Sequence, residues 1–277
     1  MPFTIVEGEG RTLWCASDGS STYYIGQLVS LVAASKAQIL GTVVPLAVPA
    51  GVQDLTNFQI PFGVVVGFNA LTPTYTTVGS ASLQYATGVI TQADQLARSW
   101  TGAEGMYSKG DPQLLIQVAR IYPGTIIRGP ICNAALGTAP TVVADTVGTD
   151  TTGYTTAATT GACEFTPVAD LATIYCRSGK NMGLYRVTHD TSTTQPDCNI
   201  AFPYDVALGD TFVRVPLKQG ISYIYISGPG LYINSALGLA TNYFTVFVSK
   251  LDLRDAGNET ADFEFCTAHF DNYRAAT

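Results

Sequence analysis

Apolar and polar positions alternate with a period of two through much of this chain, and a helical period hardly occurs. In "TYYIGQLVSLVA" (22–33), Tyr24, Gly26, Leu28, Ser30 and Val32 share one face. Tyr23, Ile25, Gln27, Val29 and Leu31 share the other, so the stretch reads as one strand. "ILGTVVPLAV" (39–48) follows, then a polar turn at Asp54–Asn57. Next comes "QIPFGVVVGFN" (59–69), an apolar run that reads as a short strand buried on both faces. Gly63 and Gly67 inside it imply a bulge, a tight bend or a close backbone approach. Residues 113–132 give two more strands, broken at Pro123-Gly124. Val, Ile and Tyr outweigh the helix start that Asp111-Pro112 could supply.

Between these runs, 70–110 is rich in Thr, Ser and Tyr and reads as an extended arm, with one short helix over 91–100 capped by Thr91. Residues 138–162 hold ten Thr in 25 positions, and no Lys or Arg occurs from Gly129 to Tyr175. From 171 onward, "LATIYCRSG", "MGLYRVTHD", "DTFVRVPLKQG", "ISYIYISGPG", "LYINSA", "NYFTVFVSKLDL" and "ADFEFCTAHFD" form a series of strands. Turn signals at 178–181, 209–210, 218–220, 228–230 and 257–258 separate most of them. Turns at such spacing belong to sandwiches and barrels, and no strand–helix alternation suggests a doubly wound sheet.

The expected fold class is therefore all-β: a small N-terminal β-barrel plus a C-terminal β-sandwich or jelly-roll-like domain, with extended arms and little helix. The expected division is an N-terminal arm over 1–21, a barrel-like domain over 22–133 carrying the 70–110 arm, a Thr-rich linker or hairpin over 134–170, and a sandwich-like domain over 171–277.

Composition narrows the function classes. Charged residues make up 13% of the 277, against 47% hydrophobic, and the 27 Gly and 14 Pro suit a fold of many turns. Net charge is −7, with 14 Lys plus Arg and no basic run, which argues against gripping nucleic acid. The N-terminus lacks the features of a signal peptide and no apolar window is long enough to span a bilayer, so the expectation is synthesis in a cytoplasm and no membrane.

The six cysteines (15, 132, 163, 176, 198 and 266) are widely and irregularly spaced, with no C-x-x-C. That pattern supports neither zinc nor a disulfide framework, and reads as buried thiols. His189-Asp190 beside Thr188 invites a triad reading, but no G-x-S-x-G accompanies it. Cys266 and His269, beside Asp271, lie three apart and in a strand would point to opposite faces.

Carboxylate groupings that could serve glycoside hydrolysis are Asp205 with Asp210, Asp252 with Asp255, and Glu259 with Asp262 and Glu264. Each lies in or beside a predicted turn, where such residues are common for backbone reasons. Calcium near Asp252–Asp255 has no EF-hand spacing behind it. Trp, the preferred sugar platform, occurs only at 14 and 100. "EGEG" (7–10) and "SGPG" (227–230) lack phosphate-loop spacing, and Asn258-Glu259-Thr260 matches the glycosylation pattern by chance. The expectation is no catalytic, cofactor-binding or metal residue and no cofactor: a chain that is not an enzyme.

Two sets of segments carry a family resemblance. "YYIGQLVSL … GTVVPLAV … IPFGVVVGFN" (23–69) resembles the small β-barrels of head decoration (cement) proteins of tailed bacteriophages. "GLYRVTHD" (183–190) with "LGDTFVRVPLKQG" (208–220) resembles β-domains of phage structural proteins. The resemblance implies a virion location on the capsid surface. Its implied partners are the major capsid protein and further copies of this chain, in a homotrimer. The N-terminal 1–20 and the 70–110 arm would make the contacts. A receptor- or carbohydrate-binding fibre or tail adhesin is the alternative, with "SYIYISGPGLYI" (222–233) as its contact surface.

Overall fold

A computed structural model describes residues 3–8, 10–17, 21, 23–31, 42–46, 60–70, 89–90, 114–132, 146–147, 173–192, 195–200, 202–204, 209–215, 217–227, 232–234 and 244–271. The protein is all-β, mostly in antiparallel sheets with almost no helix. The strands of the first half are β1 (Thr4–Glu7), β2 (Thr12–Ser17), β3 (Tyr23–Tyr24), β4 (Leu28–Leu31), β5 (Thr42–Pro45), β6 (Pro61–Ala70), β7 (Val89–Ile90), β8 (Leu114–Arg120) and β9 (Ile126–Cys132). Those of the second half are β10 (Thr146–Val147), β11 (Thr173–Cys176), β12 (Gly183–Ser192), β13 (Gln195–Cys198), β14 (Thr211–Val215), β15 (Gly220–Ser227), β16 (Tyr232–Asn234), β17 (Phe244–Asp252) and β18 (Thr260–Phe265).

The chain divides into two compact units. One comprises Pro2–Ile127 with Pro229–Leu231 and Thr267–Thr277; the other comprises Arg128–Gly228 and Tyr232–Cys266 with Met1. The division falls inside the expected 22–133 span because β9 pairs in parallel with β16 and Ile131 N–H donates to the Glu259 carbonyl at 2.9 Å. Those bonds tie the second half of β9 to later strands.

In the first unit the ladder pairings run β2-β5-β4-β6-β8 and return to β2, all antiparallel except β2 with β5. Cys15, Tyr23, Val29, Val43, Phe62, Val65, Ile116 and Val118 form its core, and the Tyr23 hydroxyl donates to the Val43 carbonyl at 2.7 Å. Residues 12–17 belong to the expected arm, yet they pair on both sides as β2. Their alternating Leu13 and Cys15 face that core.

Two details depart from the strand pattern. The expected single strand 22–33 is broken between β3 and β4 by Gly26, whose φ of 81° puts it in the left-handed region. Gly26 N–H donates to the Val65 carbonyl at 2.7 Å, and its own carbonyl accepts from Phe3 N–H at 2.9 Å. In β6 the register against β8 slips between Val65 and Gly67, leaving Val66 as an extra residue, 43% exposed. The expected burial on both faces therefore holds from Pro61 to Val65 and stops there. At Gly63 a Cβ would lie 2.4 Å from the Val118 Cγ1 and 2.5 Å from the Ala119 carbonyl oxygen. The close backbone approach of β6 to β8 thus excludes a side chain.

The second unit holds two sheets, one ordered β10-β14-β11-β12-β13 and one containing β9-β16-β15-β17-β18. Ile174, Cys176, Val187, Phe202 and Phe212 form a core cluster, with Tyr185 set edge-on to Phe202 at 4.4 Å. In β17, Phe244, Val246 and Val248 are buried and alternate with outward residues. A bulge between Val248 and Lys250 resets the alternation, so Leu251 is buried as well. Strand β13 was not anticipated. Pro196 suppresses its strand signal, and β13 sits at a sheet edge, where proline is tolerated.

The final apolar run, expected as one strand to 271, ends at Phe265, and Ala268–Asp271 is a helical turn. Of the Thr-rich 134–170 span only Thr146 and Val147 are described, opposite Phe212 and Thr211. The helix expected over 91–100 and most of the 70–110 arm lie outside the described residues.

Candidate functional site

Three of the carboxylates singled out from the sequence meet arginines. Asp262, buried in β18, accepts two hydrogen bonds from Arg128 in β9, Nε to Oδ1 at 2.7 Å and Nη2 to Oδ2 at 2.8 Å. The hydrogen bonds from this pair raise the Arg128 pKa further above its ordinary value. Glu259, buried in the β17–β18 connection, accepts from Nη2 of Arg177 and from Gly257 N–H at 3.1 Å. Arg177 also donates from Nη1 to the Arg254 carbonyl at 3.2 Å, and its N–H donates to the Thr211 carbonyl at 2.8 Å.

At the end of β17, Asp252 accepts two bonds from the Arg254 guanidinium and one from its backbone N–H, and that pairing holds its carboxyl at about 2, below the usual range. A general acid at a glycosidic bond needs a carboxyl pKa pushed upward. Asp252 is shifted the other way. The paired oxygens of Asp262 and Glu259 are committed to guanidinium and backbone donors.

The remaining candidates scatter. Asp210 is buried before β14, and Asp205 lies outside the described residues. Asp255 closes the turn through Asn258 N–H to its carbonyl at 3.1 Å. Glu264 sits half-buried opposite Phe247. His189 lies on β12 opposite Asp197, at a register irregularity, and His269 is buried on the terminal helical turn. The strand-alternation argument about Cys266 and His269 lapses, because His269 is not in a strand.

Burial raises the thiol of Cys15 to about 12 and that of Cys176 to about 11, and the pKa of Cys266 is raised by burial as well. A thiol in that range is a poor nucleophile at neutral pH. Among the described residues, no group of three or more His, Cys, Asp and Glu gathers as a metal site, and no helix is long and apolar enough to cross a membrane.

What the first unit does present is an open cleft of about 490 Å³ along β1, lined by Phe3 to Gly8, Ile25, Gly26, Val64, Val65, Val66 and Ala119. Phe3 is its buried end. At the other end, the Thr125 hydroxyl donates to the Gly8 carbonyl at 3.2 Å. Val6, Ile25 and Val66 are all exposed, although large and apolar. The bulge that turns Val66 outward is what completes this lining.

No protein-family model, curated protein or solved structure matches the chain.

The arginine partners escaped the sequence reading because Arg128 and Asp262 lie 134 positions apart, and Arg177 and Glu259 lie 82 apart. Only Arg254, two residues from Asp252, was readable locally. Trp14, one of two possible sugar platforms, is exposed on β2; Trp100 lies outside the described residues. In the stretch suggested for carbohydrate contact, Tyr225 is buried and Tyr223 half-buried, so the first of these rings serves the core.

Proposed function

We propose that this chain is a structural virion protein that binds and stabilises an assembled phage capsid, with no catalytic role. On this reading the two units are a small β-barrel, formed by the ring of pairings from β2 to β8, and a sandwich formed by the two later sheets. The observation that carries the proposal is the exposed apolar lining of the β1 cleft, where Val6, Ile25 and Val66 face solvent together. Exposed apolar surface of this kind marks contact with another macromolecule. The resemblance of 23–69 to head decoration proteins supplies the identity of that macromolecule, the major capsid protein, and self-association accompanies it.

The mechanism is thermodynamic. A protein that binds the assembled shell and not its free subunits stabilises the shell by mass action. The adhesin alternative has no specific observation in its favour, since Tyr225 in its suggested contact stretch is buried.

The test is the melting of bare capsids with and without added protein, alongside a Val6→Asp, Val66→Asp variant. The expected result is a rise in shell melting temperature that saturates with wild-type protein and shrinks with the variant. No binding and no rise for the wild type overturns the reading.

A further inference from the structure

Arg128, Arg177 and Arg254 are each paired with a carboxylate. Arg11 and Arg120, in the first unit, are not, and they stand opposite each other. Thr12 pairs with Ala119 in the antiparallel ladder of β2 and β8, and one step further Arg120 N–H donates to the Arg11 carbonyl at 3.1 Å. By alternation Arg11 lies on the face of Leu13 and Cys15, and Arg120 on the face of Ile116 and Val118. Both therefore continue the face that carries the first core. Like charges directly opposite on neighbouring strands are destabilising.

On the other side of β8 the residue opposite Arg120 is Gly63, which offers no side chain. Among the described residues, no carboxylate pairs with Arg11 or Arg120, the exposed Glu7 of β1 included.

What holds Arg120 is aromatic. Its Cζ lies 5.4 Å from the centre of the Phe62 ring and 4.8 Å from that of Tyr122. A guanidinium held over ring faces keeps its N–H donors for other partners. Arg120 is half-buried, and none of its side-chain nitrogens is both buried and unpartnered, so they reach solvent. Burial raises the Cys15 thiol and the charge of Arg120 opposes that rise, which sets the guanidinium at the end of the core. At Gly10 a Cβ would lie 1.8 Å from the Arg120 carbonyl oxygen and 3.1 Å from the Tyr122 ring, so the chain leading into Arg11 comes this close only as glycine.

We propose that Arg11 and Arg120 form a binding site for a doubly charged oxyanion of the phosphate type, free or as a monoester. The guanidinium fork matches phosphate oxygens. A phosphate group carries about −1.5 to −2 at neutral pH, which offsets two arginines. The donors are side chains, so the missing loop spacing of "EGEG" (7–10) does not bear on the site. The site is independent of capsid binding.

The experiment is calorimetric titration of the purified full chain with inorganic phosphate, glycerol phosphate and acetate at matched ionic strength. Wild type, Arg120→Gln, Arg11→Gln and Glu9→Gln are compared, with circular dichroism to confirm folding and thermal melting in the same buffers. The wild type is expected to bind phosphate with a dissociation constant on the order of 1 mM, and acetate more weakly. Each arginine variant is expected to weaken phosphate binding about tenfold or more, the equivalent of one charge-assisted hydrogen bond. Glu9, the acidic neighbour of Arg11, lies outside the described residues. Glu9→Gln is expected to bind phosphate at least as tightly as wild type.

Melting separates binding from a structural role. In chloride buffer Arg11→Gln is expected to melt no lower than wild type, because a like-charge opposition is relieved. In phosphate the wild type rises further than either arginine variant, by mass action. The general stabilisation by excluded anions is common to all four proteins. Either order of affinity between phosphate and glycerol phosphate supports the site and tells which form it takes. The proposal is overturned if the wild type takes up no phosphate, if acetate binds as tightly, or if both arginine variants bind phosphate as well as wild type does.

Discussion

Glu259 and Arg177, 82 positions apart, form an ion pair with side chains only 1% and 8% exposed. The pair is a strut within the second unit. It joins the β17–β18 connection to the end of β11, and each partner also holds backbone, Glu259 at Gly257 N–H and Arg177 at the Arg254 carbonyl. Removing one partner of a buried pair leaves the other charge without its counter-ion, which costs about 3–5 kcal/mol. Glu259→Gln is therefore expected to lower the denaturant midpoint sharply. Arg177→Met with Glu259→Leu recovers part of the loss and not all, since the two backbone groups lose their partners. Urea unfolding of the three proteins measures it, and equal stability of Glu259→Gln and wild type would refute the strut.

Asp252 and Arg254 form a pair at the surface, with side chains 27% and 67% exposed. The hydrogen bond to Arg254 holds the Asp252 carboxyl at about 2, below its ordinary value of 3.8. A depressed carboxylate stabilises the fold above its unfolded pKa, and that stabilisation disappears as pH falls through the folded value. The expected effect is a small loss of stability between pH 3.8 and about 2 that Asp252→Asn abolishes. It is small because solvent screens both groups. Unfolding midpoints against pH test it; an unchanged slope in Asp252→Asn sinks the assignment.

Gly63 and Gly67 lie on the same strand and are expected to respond differently. A methyl group at Gly63 would strike the Ala119 backbone carbonyl and the Val118 side chain, neither of which can yield without moving β8. Gly63→Ala is expected to cost about 1–3 kcal/mol, as overpacking does. At Gly67 the nearest atom is the Oε1 at the end of the Gln117 side chain, 2.8 Å away, and a rotamer change relieves it. Gly67→Ala should cost little. Thermal melting of both variants checks the contrast, and equal losses would contradict it.

The buried thiols provide a solution test of the cores. With a pKa of about 12, Cys15 is thiolate to only about one part in ten thousand at pH 8, and Cys176, at about 11, to about one part in a thousand. Both are expected to resist alkylation in the native protein and to react at ordinary rates in denaturant. Mass spectrometry after timed labelling reads each site, and rapid native labelling of Cys15 would contradict the packing of the first core.

Much of this architecture was legible in local pattern. Period-two runs such as "TVFVSKLDL" become strands because alternation alone decides which side chains can be buried together. The break at Pro123-Gly124 separates β8 from β9 because proline and glycine act on their own backbone. The low charge and frequent turns pointed to β-structure for the same local reason.

Other features depended on partners far away in the chain. Nothing in "ADFEF" says that Asp262 will meet Arg128, and nothing in 1–21 says that residues 12–17 will be paired on both sides. The outward turn of Val66 comes from a register slip against β8, a property of two strands together. Sequence by itself determined the β-class and many of the strands, because backbone preference and side-chain alternation act over a few residues. Only the tertiary structure decided that Asp262 and Glu259 are pinned by arginine and which apolar side chains reach solvent, because both depend on contacts between residues distant in sequence.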